Sequence, residues 1–203
     1  MRVFFLSVAL SAALLSSTVS FPQSPAQSST PAAAFAEKLS LPGIHNAGKV
    51  SERLFRGAQP QLAELSELKK LGVTTIVDLR SEFSHTRERE RAEAESLGIH
   101  FVSIPVGGFS TPTSAQLAEF FALLRQSPPQ KIFVHCAYGD DRTGVFIAAY
   151  RMAFDHWSAD QAYSEMLAYG FHRHWHHSMA SFVRFFPDHL QSDPVLKSAL
   201  ANP

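Results

Sequence analysis

The segment Lys131–Tyr150, KIFVHCAYGDDRTGVFIAAY, narrows the fold more than any other part of the chain. Lys131 to His135 reads as a short buried strand, and Thr143 to Phe154 is an apolar run of helical length. Only a glycine-bearing loop separates them. A buried strand that turns directly into a buried helix needs a sheet beside it and a further layer to cover both. The preceding chain supplies them. Arg53 to Arg56 is a short extended candidate, and Val73 to Leu79 (VTTIVDL) and Ile99 to Ile104 read as buried strands. Leu62, Leu65, Leu68 and Leu71 share a helical face that stops at Gly72. Thr86 to Leu97 is a charged helix that Gly98 closes. Thr113 and Gln116 form a capping box ahead of the stripe Leu117, Phe120, Phe121 and Leu124, which Pro128 and Pro129 end. After the loop, Ser158 and Gln161 form a second box, starting a helix that Gly170 ends, and a last helix covers Ser178 to Phe186. Alternating strands and helices predict an α/β domain with a central, mostly parallel sheet flanked by helices.

The ends read differently. Met1-Arg2 followed by the apolar, small-residue run Val3–Leu15 and the small residues Ser16–Ser20 predicts a signal peptide over residues 1–20, cleaved after Ser20. The run is shorter than the ~20 apolar residues of a spanning helix, so no membrane span is expected after cleavage. Residues 21–40, rich in Ser, Pro, Ala and Gln, read as a flexible linker, 41–188 as the folded domain and 189–203 as a short tail. The expected destination is periplasmic or secreted. Cys136 is the single cysteine and cannot form a disulfide within the chain, so its chemistry is a better reason for it than stapling. The bland alternative is a small buried apolar residue. Formal net charge is zero, which removes a global pull toward nucleic acid or an anionic membrane and makes any anion binding local.

The loop has the means for local binding. It lies at the end of a strand and the start of a helix, where free N–H groups and the helix dipole favour an anion. Gly139 and Gly144 let the backbone approach a ligand closely. Arg142 can place a two-pronged fork on phosphate oxygens. In such a field a thiol pKa falls from about 8.5 into the range of roughly 3.5 to 7.5, which makes a thiolate nucleophile beside a phosphate cradle.

The string His135-Cys136-Ala137-Tyr138-Gly139-Asp140-Asp141-Arg142-Thr143 resembles the H-C-x5-R-[S/T] loop of the protein tyrosine and dual-specificity phosphatase superfamily. LFRGAQP (Leu54–Pro60), TIVDLRSE (Thr75–Glu82) and YGFHRHW (Tyr169–Trp175) resemble segments of its small bacterial members, so the likeness spans most of Leu41 to Pro187. The resemblance implies a two-step mechanism with no metal and no cofactor. Cys136 attacks phosphorus and forms a phosphocysteine. Arg142 and the loop residues Ala137, Tyr138, Gly139, Asp140 and Gly144 hold the phosphate. Thr143 hydrogen-bonds the sulfur, and His135 orients the loop from beneath. A carboxyl group protonates the leaving oxygen and then activates water. Many members carry that acid after a strand like Ile99–Ile104, but IPVGGFSTPTSAQ here has no Asp or Glu.

Asp78, Glu82, Asp140 and Asp141 are the remaining candidates for the acid. Asp141 is favoured because some lipid-active relatives, myotubularins among them, have an aspartate directly before the loop arginine. Ionised, it would oppose a neighbouring anion by about 4 kcal/mol at about 4 Å and an effective dielectric of 20, so the site favours its protonated form. Asp78, the second candidate, is expected at a strand end in a structural role, and Asp140 is expected to be solvated or substrate-facing. The expected substrate is phosphotyrosine in proteins, with phosphoserine or phosphothreonine beside it. The alternative is a phosphoinositide or inositol phosphate. A phosphate-binding pseudoenzyme and a rhodanese-type sulfurtransferase fit the paired Cys136 and Arg142 and the RTG helix start less well. Arg80 and Arg87 read as surface or cleft cations. HRHWHH, with His172, His174, His176 and His177, lacks recognised metal-ligand spacing and reads as a cluster near the site rim.

Overall fold

The computed structural model describes Met1 and residues 34–201. The expected signal peptide, apart from Met1, and the linker as far as residue 33 lie outside the described residues. The strands are β1 (Glu37–Lys38), β2 (Gly48–Lys49), β3 (Leu54–Ala58), β4 (Thr75–Arg80), β5 (His100–Val106) and β6 (Ile132–Cys136). The helices are α1 (Leu65–Lys70), entered through a tighter turn at Leu62–Glu64, α2 (Ser84–Ser96), α3 (Ser114–Leu124), α4 (Asp141–Phe154), α5 (Ala159–Ala168), α6 (His177–Ser192) and α7 (Pro194–Ala201).

The six strands form one sheet in the order β1-β2-β3-β6-β4-β5. Strands β3, β6, β4 and β5 run parallel, and the short β1 and β2 add an antiparallel edge. Period-two alternation then divides the core. Ile76 and Phe133 join Leu65, Leu68 and Ala94 under α1 and α2. Val77, Val134 and Cys136 face the other way, against Phe120, Phe146 and Val183 under α3, α4 and α6. Parallel pairing sets Ala58 beside Cys136 and Asp78 beside His135, so the ends of three strands meet where the loop begins. Both capping boxes form, with the Thr113 and Ser158 side chains accepting from the Gln116 and Gln161 N–H groups.

Of the boundaries that differ from the sequence reading, three change the site or the extent of the fold. Helix α4 starts at Asp141, two residues earlier, so Asp141 and Arg142 belong to its first turn. The packed unit starts before residue 41: the Ala36 N–H donates to the Glu165 carboxylate, and the Ala36 carbonyl accepts the Tyr169 hydroxyl at 3.0 Å. At the other end α6 continues through Pro187 to Ser192, and α7 follows where a tail was expected. Proline removes one helical donor, but Phe186 before it is fully buried and Leu196 beyond it is nearly so, and this packing outweighs the lost bond.

Candidate active site

Cys136 ends β6 and is almost fully buried. The loop after it curls back so that the Gly139 N–H donates to Cys136 Sγ at 3.3 Å. Gly139 has φ +75°, and a Cβ there would run into the backbone of Gly57 and Ala58. Only glycine meets both demands, the left-handed backbone and the close approach to β3. Gly144, on α4, packs against Met166. Ala137 is partly exposed, whereas the Tyr138 side chain stands in solvent at 75% exposure. The expected bond from Thr143 to sulfur is absent: among the described residues its buried hydroxyl has no hydrogen-bond partner, and the Gly139 N–H is the donor on the sulfur.

Arg142 is buried and already gripped. Its guanidinium donates to Glu82 Oε2 at 2.9 Å and Oε1 at 2.7 Å, and to the Val106 carbonyl at 3.1 Å. The Arg142 hydrogen bonds hold the Glu82 carboxyl at a pKa of about 2. Glu82 is therefore the counter-ion of the fork and stays ionised, which removes it as the proton donor.

Asp78 is also removed. It is fully buried, with Oδ1 accepting from Arg80 Nε at 2.8 Å and Oδ2 from Arg80 Nη2 at 2.8 Å. Arg80 Nη2 reaches Glu90 at 2.7 Å, and Glu90 lies 2.9 Å from His135 Nε2. Arg80 is thus neither a surface nor a cleft cation, and Arg87 donates to its carbonyl at 3.0 Å. His135 Nδ1 lies 3.2 Å from the Cys136 carbonyl, where the loop begins. Burial alone would lower the His135 pKa, but Glu90 and Asp78 outweigh it and the value is raised.

The two loop aspartates have separate duties. Asp140 is mostly buried rather than solvated, and its Oδ2 lies 3.5 Å from His172 Nδ1. It caps α4, accepting the Asp141 N–H at 2.7 Å, and burial keeps its carboxyl above the usual range. Asp141 turns toward the α5–α6 connection. It accepts the His172 N–H at 2.9 Å and lies 3.2 Å from both His172 Nδ1 and His176 Nε2. His172 and His176 therefore do more than rim the site: they hold the carboxyl favoured as the acid. Among the described residues, Asp140, Asp141 and His172 have donor atoms within 4.8 Å of one another, a spacing that could hold a cation.

A family model described as "DSP-PTPase phosphatase fused to NAD+ Kinase" matches residues 41–182. The chain belongs to this phosphatase family. Among curated relatives, the dual specificity protein phosphatase TpbA of Pseudomonas aeruginosa is 32% identical over 133 residues, covering 62% of this chain and 55% of that protein. The chain thus spans about half the length of the curated relatives it matches. Among solved structures, a cysteine-to-serine variant of P. aeruginosa TpbA in complex with pTyr superposes with a TM-score of 0.65 at 23% identity, covering 86% of this chain and 100% of that one. The catalytic core of the PP-IP phosphatase SIW14 from S. cerevisiae, in complex with citrate, gives 0.65 at 21% identity over 80% and 96% of the two chains.

Within this DSP-PTPase chain, LFRGAQP also reaches the loop. Arg56, on β3, donates to the Gly139 carbonyl at 2.8 Å and lies 3.8 Å from the Tyr169 ring centroid. Asn46 donates to the same carbonyl at 3.1 Å and to the Tyr169 carbonyl at 2.9 Å. Neither residue follows from the loop string. An arginine inside an otherwise apolar strand is the sequence signal that points to Arg56.

Proposed function

We propose that the chain is a phosphomonoester hydrolase that works through a phosphocysteine, on phosphotyrosine and on phosphoserine or phosphothreonine in proteins. The observation that carries this reading is the loop itself: Cys136 Sγ with the Gly139 N–H upon it and the Arg142 fork in the adjoining helical turn. The thiolate forms an S–P bond as the P–O bond of the ester breaks. Arg142 and the loop amides hold the phosphoryl oxygens as charge shifts across them. The Asp141 carboxyl gives its proton to the leaving oxygen. Water then attacks phosphorus, Asp141 takes a proton from it, and Cys136 leaves as thiolate. Contacts from His172 and His176 to Asp141 support this role, since they fix where its carboxyl points.

The pTyr complex of TpbA supports an aryl phosphate substrate. The second reading, inositol phosphates or phosphoinositides, is favoured by an aspartate directly before Arg142 and by the shared fold with a PP-IP phosphatase. Export to the periplasm or medium is part of the proposal, on the pattern of residues 1–20 and the lone cysteine; no described helix is long and apolar enough to cross a membrane. The deciding experiment compares wild type and Cys136→Ser on an aryl phosphate, a phosphotyrosine peptide panel and a phosphoinositide panel. Full activity in the variant refutes the mechanism, and faster turnover of the lipid panel refutes the protein substrate.

A further inference from the structure

Arg56, Arg80, Arg142 and Arg151 are the buried arginines among the described residues. Asp78 and Glu90 hold Arg80, Glu82 holds Arg142, and Glu165 and Asp155 hold Arg151. Arg56 is fully buried and has no acid within ion-pair distance among the described residues. Its Nε and Nη1 have no hydrogen-bond partner either. Both oxygens of Glu165, on α5, are taken up by Arg151. An arginine buried without a partner acid is expensive, and one aromatic face and one carbonyl offset only part of that cost. Burial holds its pKa at about 10, so it carries its charge at neutral pH.

The compensating charge belongs to the loop. On β3, Leu54, Arg56 and Ala58 share one face of the sheet, and on β6 Val134 and Cys136 share that same face. Arg56 therefore approaches the loop from the side on which the sulfur lies. It draws the Gly139 carbonyl toward itself. A trans peptide sets its N–H opposite its C=O, so this pull aims the Asp140 N–H the other way, across the loop.

We propose that Arg56 is the positioning residue of the phosphate cradle, fixing the Gly139–Asp140 peptide and supplying a buried positive charge that the thiolate or a bound phosphate neutralises. Arg56 never touches substrate. This inference rests on the loop being the phosphate site proposed above. Besides Cys136, the groups that act on Arg56 are Glu165 on α5, Tyr169 beyond it and Asp140 in the loop, while Lys38 on β1 lies near the Tyr169 ring.

The test is calorimetric binding of tungstate, a non-hydrolysable dianion, to the full chain, with urea midpoints to establish folding. Arg56→Gln can still donate to Gly139 but loses the charge, and is expected to weaken tungstate binding about tenfold or more. The pH midpoint for alkylation of Cys136 by iodoacetamide should rise with it. Arg56→Lys keeps a cation only below the lowered pKa of a buried ammonium, so its tungstate affinity should recover toward wild type as pH falls from about 8 to about 6. Asn46→Ala removes neutral hydrogen bonds to the Gly139 and Tyr169 carbonyls but no charge, and should leave the alkylation midpoint in place. Wild-type binding by Arg56→Gln overturns the proposal, and so does a folded Arg56→Lys whose affinity shows no recovery as pH falls. The lysine variant decides alone if the glutamine variant does not fold. Failure of the wild type itself to bind tungstate would refute the phosphatase reading, and this inference with it.

Discussion

Replacing Glu82 by Gln tests how the fork of Arg142 is held. Glu82 accepts two guanidinium hydrogen bonds, at 2.7 and 2.9 Å, and its side chain is 32% exposed. Lowering its pKa from 4.5 to about 2 is worth roughly 3 kcal/mol on full conversion. Solvent around a carboxylate this open screens that figure to on the order of 1–2 kcal/mol. Because the folded pKa lies below the unfolded one, the contribution is complete above about pH 4.5 and is lost as pH falls toward about 2. Urea unfolding of both proteins at about pH 7, 5, 4 and 3 measures it as a difference, which cancels the other carboxylates. Wild type should exceed Glu82→Gln by on the order of 1–2 kcal/mol at neutral pH, with more than half of the gap gone by about pH 3. A gap that stays constant down the series would refute the pairing. So would a neutral-pH gap near zero.

Asp141→Asn should slow hydrolysis of an alkyl phosphate by about 10²- to 10⁴-fold while sparing an aryl phosphate with a good leaving group; equal losses on both would place the proton donor elsewhere. Gly139→Ala forces a side chain into the Gly57–Ala58 backbone at positive φ, and should lower the urea midpoint by at least about 2 kcal/mol of stability together with tungstate affinity. Glu90→Gln leaves Arg80 and His135 short of a buried counter-charge, and should cost about 3–5 kcal/mol in urea unfolding.

Local signals were the most legible part of this chain. Thr113 with Gln116 and Ser158 with Gln161 are three residues apart, and the reach of one side chain settles them. The Cys136–Thr143 string is contiguous, so its chemistry was readable without a fold. What stayed hidden depends on distance along the chain. Arg56 meets Gly139 across 83 residues, Arg142 meets Glu82 across 60, and Asp141 meets His172 across 31. A carboxylate of Glu82 and a carboxylate of Asp141 look alike in sequence; partners from distant segments make one a fixed counter-ion and give the other to imidazoles. Helix α6 runs through Pro187 for a related reason, since the local cost of proline is offset by packing that includes Leu196, which the residues around Pro187 do not announce.

Helix α4 begins at Asp141 rather than at Thr143. In the proposed mechanism the proton donor and the phosphate fork are then consecutive residues of one helical turn, anchored by a helix that is buried along most of its length. They cannot be brought together or parted by a swinging loop, as a donor on a separate flap would be. Turnover then has no closing step to wait for, and solvent viscosity should leave the burst of phosphocysteine formation untouched. The same rigidity makes aim a property of the whole rod: a cavity cut at Phe146, one turn along α4 and buried against Phe120, would tilt donor and fork together.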